Sequence, residues 1–233
     1  MAVFLKSTIS NRKVLQGDGY LPIVQRTAIS LVNCAVSSGR PSTFPTPQVQ
    51  SLGAFTFVKG VASFRIEDNT FGLAGGDAIC IWHSSHGVIV RNRGGGNGEN
   101  TVDVKDSHDV LITDNQSDND TEYNIVVHGV DSNDLTYNIV VERNRRLRGG
   151  QGGKLLAGIA LQFVRKSRVR RNRVEDAYGE GIVVGDAIRE LGNEVSHTLL
   201  INQSAHSRRH RFGERRWHAS ICQHRVGRHY SLK

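Results

Sequence analysis

The 233 residues are 38% hydrophobic, on the low side for a globular core, and carry a formal net charge of +8. No run approaches the 18 or more consecutive apolar residues of a membrane-spanning helix, so no membrane partner is expected. Cys34, Cys80 and Cys222 are too few and too scattered for a disulfide framework or a thiolate zinc site.

The N-terminus, MAVFLKSTISNRK, has a short apolar start that turns polar at once. It lacks the apolar core of a secretory signal, so the chain is expected to be intracellular or to have lost an export segment. Ala28 to Val36 is a mostly apolar run that reads as a strand or a short capping helix. SSGRPSTFPTPQ, at 37–48, reads as a linker or extended loop. Residues 1–56 are therefore taken as an N-terminal flank or cap.

From residue 57 to about 196 two patterns return together. The first is apolar-x-apolar-x-x-Asn: Phe64, Ile66 and Asn69, then Val110, Ile112 and Asn115, then Ile139, Val141 and Asn144, with partial copies at Asn92, Asn172 and Asn193. These asparagines are spaced 23, 23, 29, 28 and 21 residues apart. The second is an apolar-x-apolar strand at Ile79/Ile81, Val102/Val104, Ile125/Val127, Ile159/Leu161 and Ile182/Val184, spaced 23, 23, 34 and 23. Period-two alternation with β-branched residues marks strands with one buried face. A coil of about 23 residues cannot bury that face alone, so coils must stack about 4.8 Å apart. An asparagine at a fixed turn tolerates left-handed backbone and can bond to its equivalent one coil away. The pattern predicts an all-β chain, a parallel β-helix of about six coils with poorly ordered flanks, an internal asparagine ladder, and a loop from Arg145 to Lys154 in the longest interval.

Stacking also places outward residues side by side. One column reads Trp82, Lys105, His128, Gln162, Gly185 and its neighbour reads Cys80, Asp103, Val126, Ala160, Val183. Trp82, Asp103, Lys105, His128 and Gln162 form a candidate sugar-binding and proton-transfer face, since indole stacks on sugar rings and Lys or His can move a proton. The bland alternative makes Lys105 a solubilising charge and His128 a surface residue. Charge is also segregated. Glu99 to Asp134 holds ten acids and one base, and Glu142 to Arg173 holds eleven bases and one acid. The acids could offer oxygen ligands to Ca²⁺ but more readily read as solvated turns. The bases, Arg165 among them, could bind a polyanion or pair with acidic turns one coil away.

After His197 the repeat is lost, and residues 197–233 hold eight Lys and Arg against the single acid Glu214, a net of +7, with six of the ten histidines. The body before it has 22 bases and 21 acids, so the basic pI rests on this tail. The tail reads as a disordered extension, and a nucleic-acid partner is not expected. Its histidines lack a regular ligand spacing, so no metal site is assigned there.

SFRIEDNTF, GENTVDVKDSHDVLITDN and KSRVRRNRVEDAYGEGIVV resemble the repeats of right-handed parallel β-helix proteins of the pectate-lyase-like superfamily. The resemblance implies right-handed winding, a secreted or periplasmic location, a monomer, and an acidic polysaccharide as partner. It also implies β-elimination as one activity, with a non-catalytic carbohydrate-binding or structural module as the alternative. ENTVDVK is similar to lyase segments in which an outward lysine is the base. By that resemblance Lys105 would be the base. On intrinsic pKa His128 is the better base, leaving Lys105 to neutralise the carboxylate, since Asp103 beside Lys105 opposes a lowered lysine pKa. Trp82, Gln162 and Arg165 are the expected sugar-binding residues. The substrate carboxylate would be neutralised by Ca²⁺ or a cationic side chain. GGDAICI at 75–81 has one acid where polygalacturonases need two, and the Asp-Pro-His-Asp motif of alginate epimerases is absent. Hydrolase and epimerase activities are therefore not expected.

Overall fold

The computed structural model describes residues 56–72, 74–129, 136–150, 156–184 and 192–201, together with the backbone of strands at Lys6–Ser10, Lys13–Gln16, Leu21–Val24, Ala28–Val32, Ala35–Ser38, Cys222–Arg225 and Arg228–Tyr230. Every element among them is a strand, and no helix is long and apolar enough to cross a membrane. The strands lie in long sheets in which each pairs with its equivalent in the next coil. The first sheet has eight strands, from Lys6–Ser10 to Glu194–Ser196, and the second has seven, from Leu21–Val24 to Glu180–Val184. A third of six strands starts at Gln116–Asp118, and a fourth of three ends at Thr70–Phe71. Isolated bridges Thr70–Arg93 and Arg93–Gln116 link these last two. Among the described residues, all strand pairings are parallel except that of Cys222–Arg225 with Arg228–Tyr230. The chain is a right-handed parallel β-helix, the hand that parallel β crossovers take.

The inward residues are those of the period-two pattern. Ile79, Ile81, Val102, Val104, Ile125, Val127 and Ile159 are each 0% exposed, and Ile66, Ile89, Ile112 and Ile139 line the opposite wall. Burying such a side chain contributes about 1.5–3 kcal/mol, and the stack repeats it coil after coil.

The asparagine ladder runs Asn69, Asn92, Asn115, Asn144, Asn172. Each Nδ2 donates to the Oδ1 of the next, at 2.9 to 3.0 Å, and the same oxygen accepts the preceding asparagine's backbone N–H. The residue before each one, Asp68, Arg91, Asp114, Arg143 or Arg171, has φ between 54° and 56°. This left-handed corner turns the chain and aims the amide into the stack.

Asn193 departs from the pattern. Its Oδ1 accepts from the backbone N–H of Ser167 at 2.9 Å, and Ser167 Oγ accepts in turn from the N–H of Ile139, so Asn193 lies off the asparagine ladder and Thr198 takes the place after Asn172. Part of the expected loop is also a strand. Arg145–Arg148 pairs with its neighbours in the third sheet because Leu147, 0% exposed, anchors it in the core. Most of the linker reading at 37–48 and most of the tail fall outside the described residues.

Candidate functional site

The second sheet carries the expected columns in the expected register. Lys59, Trp82, Lys105, His128 and Gln162 pair in sequence along one, and Phe57, Cys80, Asp103, Val126 and Ala160 along the next. Asp103 is the centre. Its carboxylate, with the side chain only 3% exposed, meets Lys105 Nζ at 2.9 Å through Oδ2 and His128 Nε2 at 3.0 Å through Oδ1. Alternation puts Lys105 on the same face two residues along the strand, and stacking brings His128 from the next coil.

Three further carboxyl groups and a thiol gather here. Asp77 lies in the turn before Ile79–Trp82 and accepts from Asn100 Nδ2 at 2.8 Å. Cys80, buried, neighbours Asp103 across the sheet. The ligand atoms of Asp77, Cys80 and Asp103 all lie within 4.8 Å of one another. Glu99 and Glu122 follow one coil apart, joined by a backbone hydrogen bond of 3.0 Å.

These groups crowd one another electrostatically. Burial, then the charge of Asp103, drives the Asp77 carboxyl well above the usual range and raises the Cys80 thiol the same way. Glu99 is pushed up to about 7 by burial and then by Glu122. Burial and Asp103 also raise Glu122. Burial alone would lower the Lys105 ammonium, yet the charge and hydrogen bond of Asp103 carry it upward. That direction is opposite to what a lysine base needs.

The other residues expected at the site are placed unevenly. The Trp82 indole N–H donates to Asp106 at 3.2 Å, Lys59 Nζ sits 4.1 Å from the ring centroid, and His83 stacks at 5.1 Å, so the ring is already engaged by its neighbours. Gln162 stays in the column and its side chain bonds that of Tyr123. Arg165 leaves it, with its guanidinium 5.2 Å from the centroid of Tyr137, the first residue of a strand in the first sheet. The acidic belt disperses. Asp109 meets His108, Asp114 pairs with Arg143, Asp118 with Arg148, and Asp120 turns inside to Thr101. Many belt arginines therefore face acids one coil away rather than an open surface.

Asp77, Glu99 and Glu122 were missed as site residues, although the 23-residue step carries Asp77 to Asn100 and Glu99 to Glu122.

Among known proteins, residues 33–206 match the model of the family described as periplasmic copper-binding protein (NosD). No curated protein and no solved structure matches the chain.

Proposed function

This chain belongs to the NosD family of periplasmic copper-binding proteins, and from that premise we propose that it is a periplasmic β-helix protein that captures copper on the second sheet. Asp77, Cys80 and Asp103 would hold the ion with His128 beside them. The observation that carries this reading is the convergence of one thiol and two carboxylates within 4.8 Å, all buried.

The thiol and the imidazole fit copper, thiolate suiting copper(I) and imidazole either oxidation state, while the two carboxylates are hard donors that supply charge neutralisation rather than selectivity. Burial first, and then repulsion from the Asp103 charge, drives the Asp77 carboxyl and the Cys80 thiol toward their neutral forms. A cation would relieve that repulsion and release protons as it binds. The copper here is cargo, held by protein groups and not consumed.

The test is copper(I) titration of the full chain against a chromophoric chelator. One tight equivalent is expected, weakened about 100-fold or more by Cys80→Ser or Asp77→Asn, taking metal ligands to matter at least as much as their supporting partners. Binding that survives both substitutions would sink the reading.

A second reading has its own support. Lys105 and His128 are 30% and 25% exposed and adjacent on an open strand face, a place where an acidic polysaccharide could lie. With its charge reinforced by Asp103, Lys105 suits the role of fixed cation for a uronate carboxylate, and His128 that of base. Growth of ultraviolet absorbance on mixing with pectate, alginate or chondroitin, with and without Ca²⁺, would support β-elimination, and a flat trace on all three would remove it.

A further inference from the structure

The first sheet carries a second group of metal-ligating side chains, on a different sheet from the strands that hold Cys80 and Asp103. His86 follows Ser85 at the start of one strand, and His108 and Asp109 open the next, with Ser85 and His108 in register. One ligand atom from each of His86, His108 and Asp109 lies within 4.8 Å of the others. His108 Nδ1 lies 2.8 Å from Asp109 Oδ2, and the imidazoles of His86 and His108 meet edge to face at 5.9 Å.

The following coil supports this group. Tyr137 stacks on the His108 ring at 4.7 Å with an interplanar angle of 2°, which fixes the plane of the imidazole. Asn138 Nδ2 donates to the other Asp109 oxygen, Oδ1, which orients the carboxylate. Metal sites are built this way, with donors from adjacent elements whose orientation is set by neighbours. The group is accessible, His108 and Asp109 being 32% and 31% exposed.

We propose that His86, His108 and Asp109 form a second metal site that takes a divalent first-row ion of the Zn²⁺ or Cu²⁺ kind. Two imidazoles and one carboxylate are borderline nitrogen and oxygen donors, which favour these ions over Ca²⁺ or Mg²⁺. Without a thiol, the site differs in preference from the Cys80 cluster, and it stands whether or not that cluster binds copper. Three protein donors leave a coordination position open for water or an incoming group.

The experiment is Zn²⁺ competition with a chromophoric chelator on the full chain, compared among variants that keep the fold. His108→Phe retains an aromatic ring on Tyr137. His86→Asn suits the left-handed backbone at His86, where φ is 52°. Asp109→Asn does the same where φ is 55° and serves as the reserve should either fail to fold by circular dichroism. The histidines of residues 197–233 remain in every variant, so the comparison cancels them. Zn²⁺ binding at this site is expected to weaken about 100-fold in each of these variants. The Cu²⁺ form should show nitrogen hyperfine structure in its electron paramagnetic resonance spectrum that His108→Phe diminishes. Wild-type affinity in the folded variants, or no Zn²⁺ binding by the parent chain, would each overturn the proposal.

Discussion

Asp103 Oδ1 lies 3.0 Å from His128 Nε2, one coil step along the stack, with the Asp103 side chain almost wholly buried. A buried carboxylate persists in such a place only when its lone pairs are satisfied, and here Lys105 satisfies the second oxygen. Asp103→Ala should therefore destabilise the protein by about 2–3 kcal/mol, because it removes two charge-assisted contacts and strands their half-buried donors. Asp103→Asn, which keeps the shape and an acceptor, should cost less than half of that. Urea midpoints of the two variants check this order, and equal losses would contradict it.

The same crowding sets a pH dependence. Glu99 titrates near 7 in the folded chain against 4.5 when unperturbed, so between those values the native state binds more protons than the unfolded one. Stability then falls as pH rises through that window, and the penalty is complete only above about 7. Glu122 and Asp77 act in the same direction. Glu67, Asp68 and Asp114 act oppositely, their carboxyls being held low by arginines, and that contribution is lost only in more acid solution. Metal-free protein should show a higher urea midpoint at about pH 5 than at about pH 7.5, and Glu99→Gln should reduce the difference. A midpoint that rises over that range would refute the assignment.

Asn115 carries a larger structural load than its size implies. Its Oδ1 accepts from both the backbone and the side chain of Asn92, and its Nδ2 donates to Ile89 O and to Asn144 Oδ1. Asn115→Ala would leave several buried polar groups without partners, each costing about 1–3 kcal/mol before relaxation. A loss of about 3–5 kcal/mol is expected, against about 1–2 kcal/mol for Asn193→Ala, where fewer groups depend on the side chain. Thermal melts of the two variants check the contrast.

The ladder was legible because a spacing of 23 residues, repeated in two markers, fixes both the coil and the corner. Asn193 misled because serine, threonine and asparagine all offer an oxygen to the N–H one coil away, so residue type alone does not name the corner. Lys105, His128 and Asp103 were readable as neighbours from alternation and register. Arg165 was not excluded by those rules. Phe163, with φ of 54°, turns the chain just after Gln162 and carries Arg165 toward the first sheet. Spacing rules for metal ligands also pass over Asp77, Cys80 and Asp103, since a solenoid assembles donors from a turn and two coils, not from one local motif.

Lys105 separates the two functional readings more sharply than any other residue. Its ammonium sits 2.9 Å from an oxygen of Asp103, the carboxylate that the copper reading assigns to the ion. Ammonium and copper therefore compete for one ligand, and Lys105→Met, which keeps the aliphatic stem and removes the charge, should strengthen copper binding. Two unit charges about 4 Å apart interact by about 1–4 kcal/mol at effective dielectric constants of about 80 to 20, which sets the scale for removing this cation. The expected gain in affinity is thus about 5-fold to several hundred-fold, with the smaller end favoured because Lys105 is 30% exposed to screening solvent. If the face instead holds a uronate, the same substitution removes the group that neutralises its carboxylate, and turnover or binding of an acidic polysaccharide falls by a comparable factor. Chelator competition with copper(I) and the ultraviolet assay on one preparation of Lys105→Met decide between them. A variant with copper affinity unchanged or weakened would refute the competition on which the copper geometry depends.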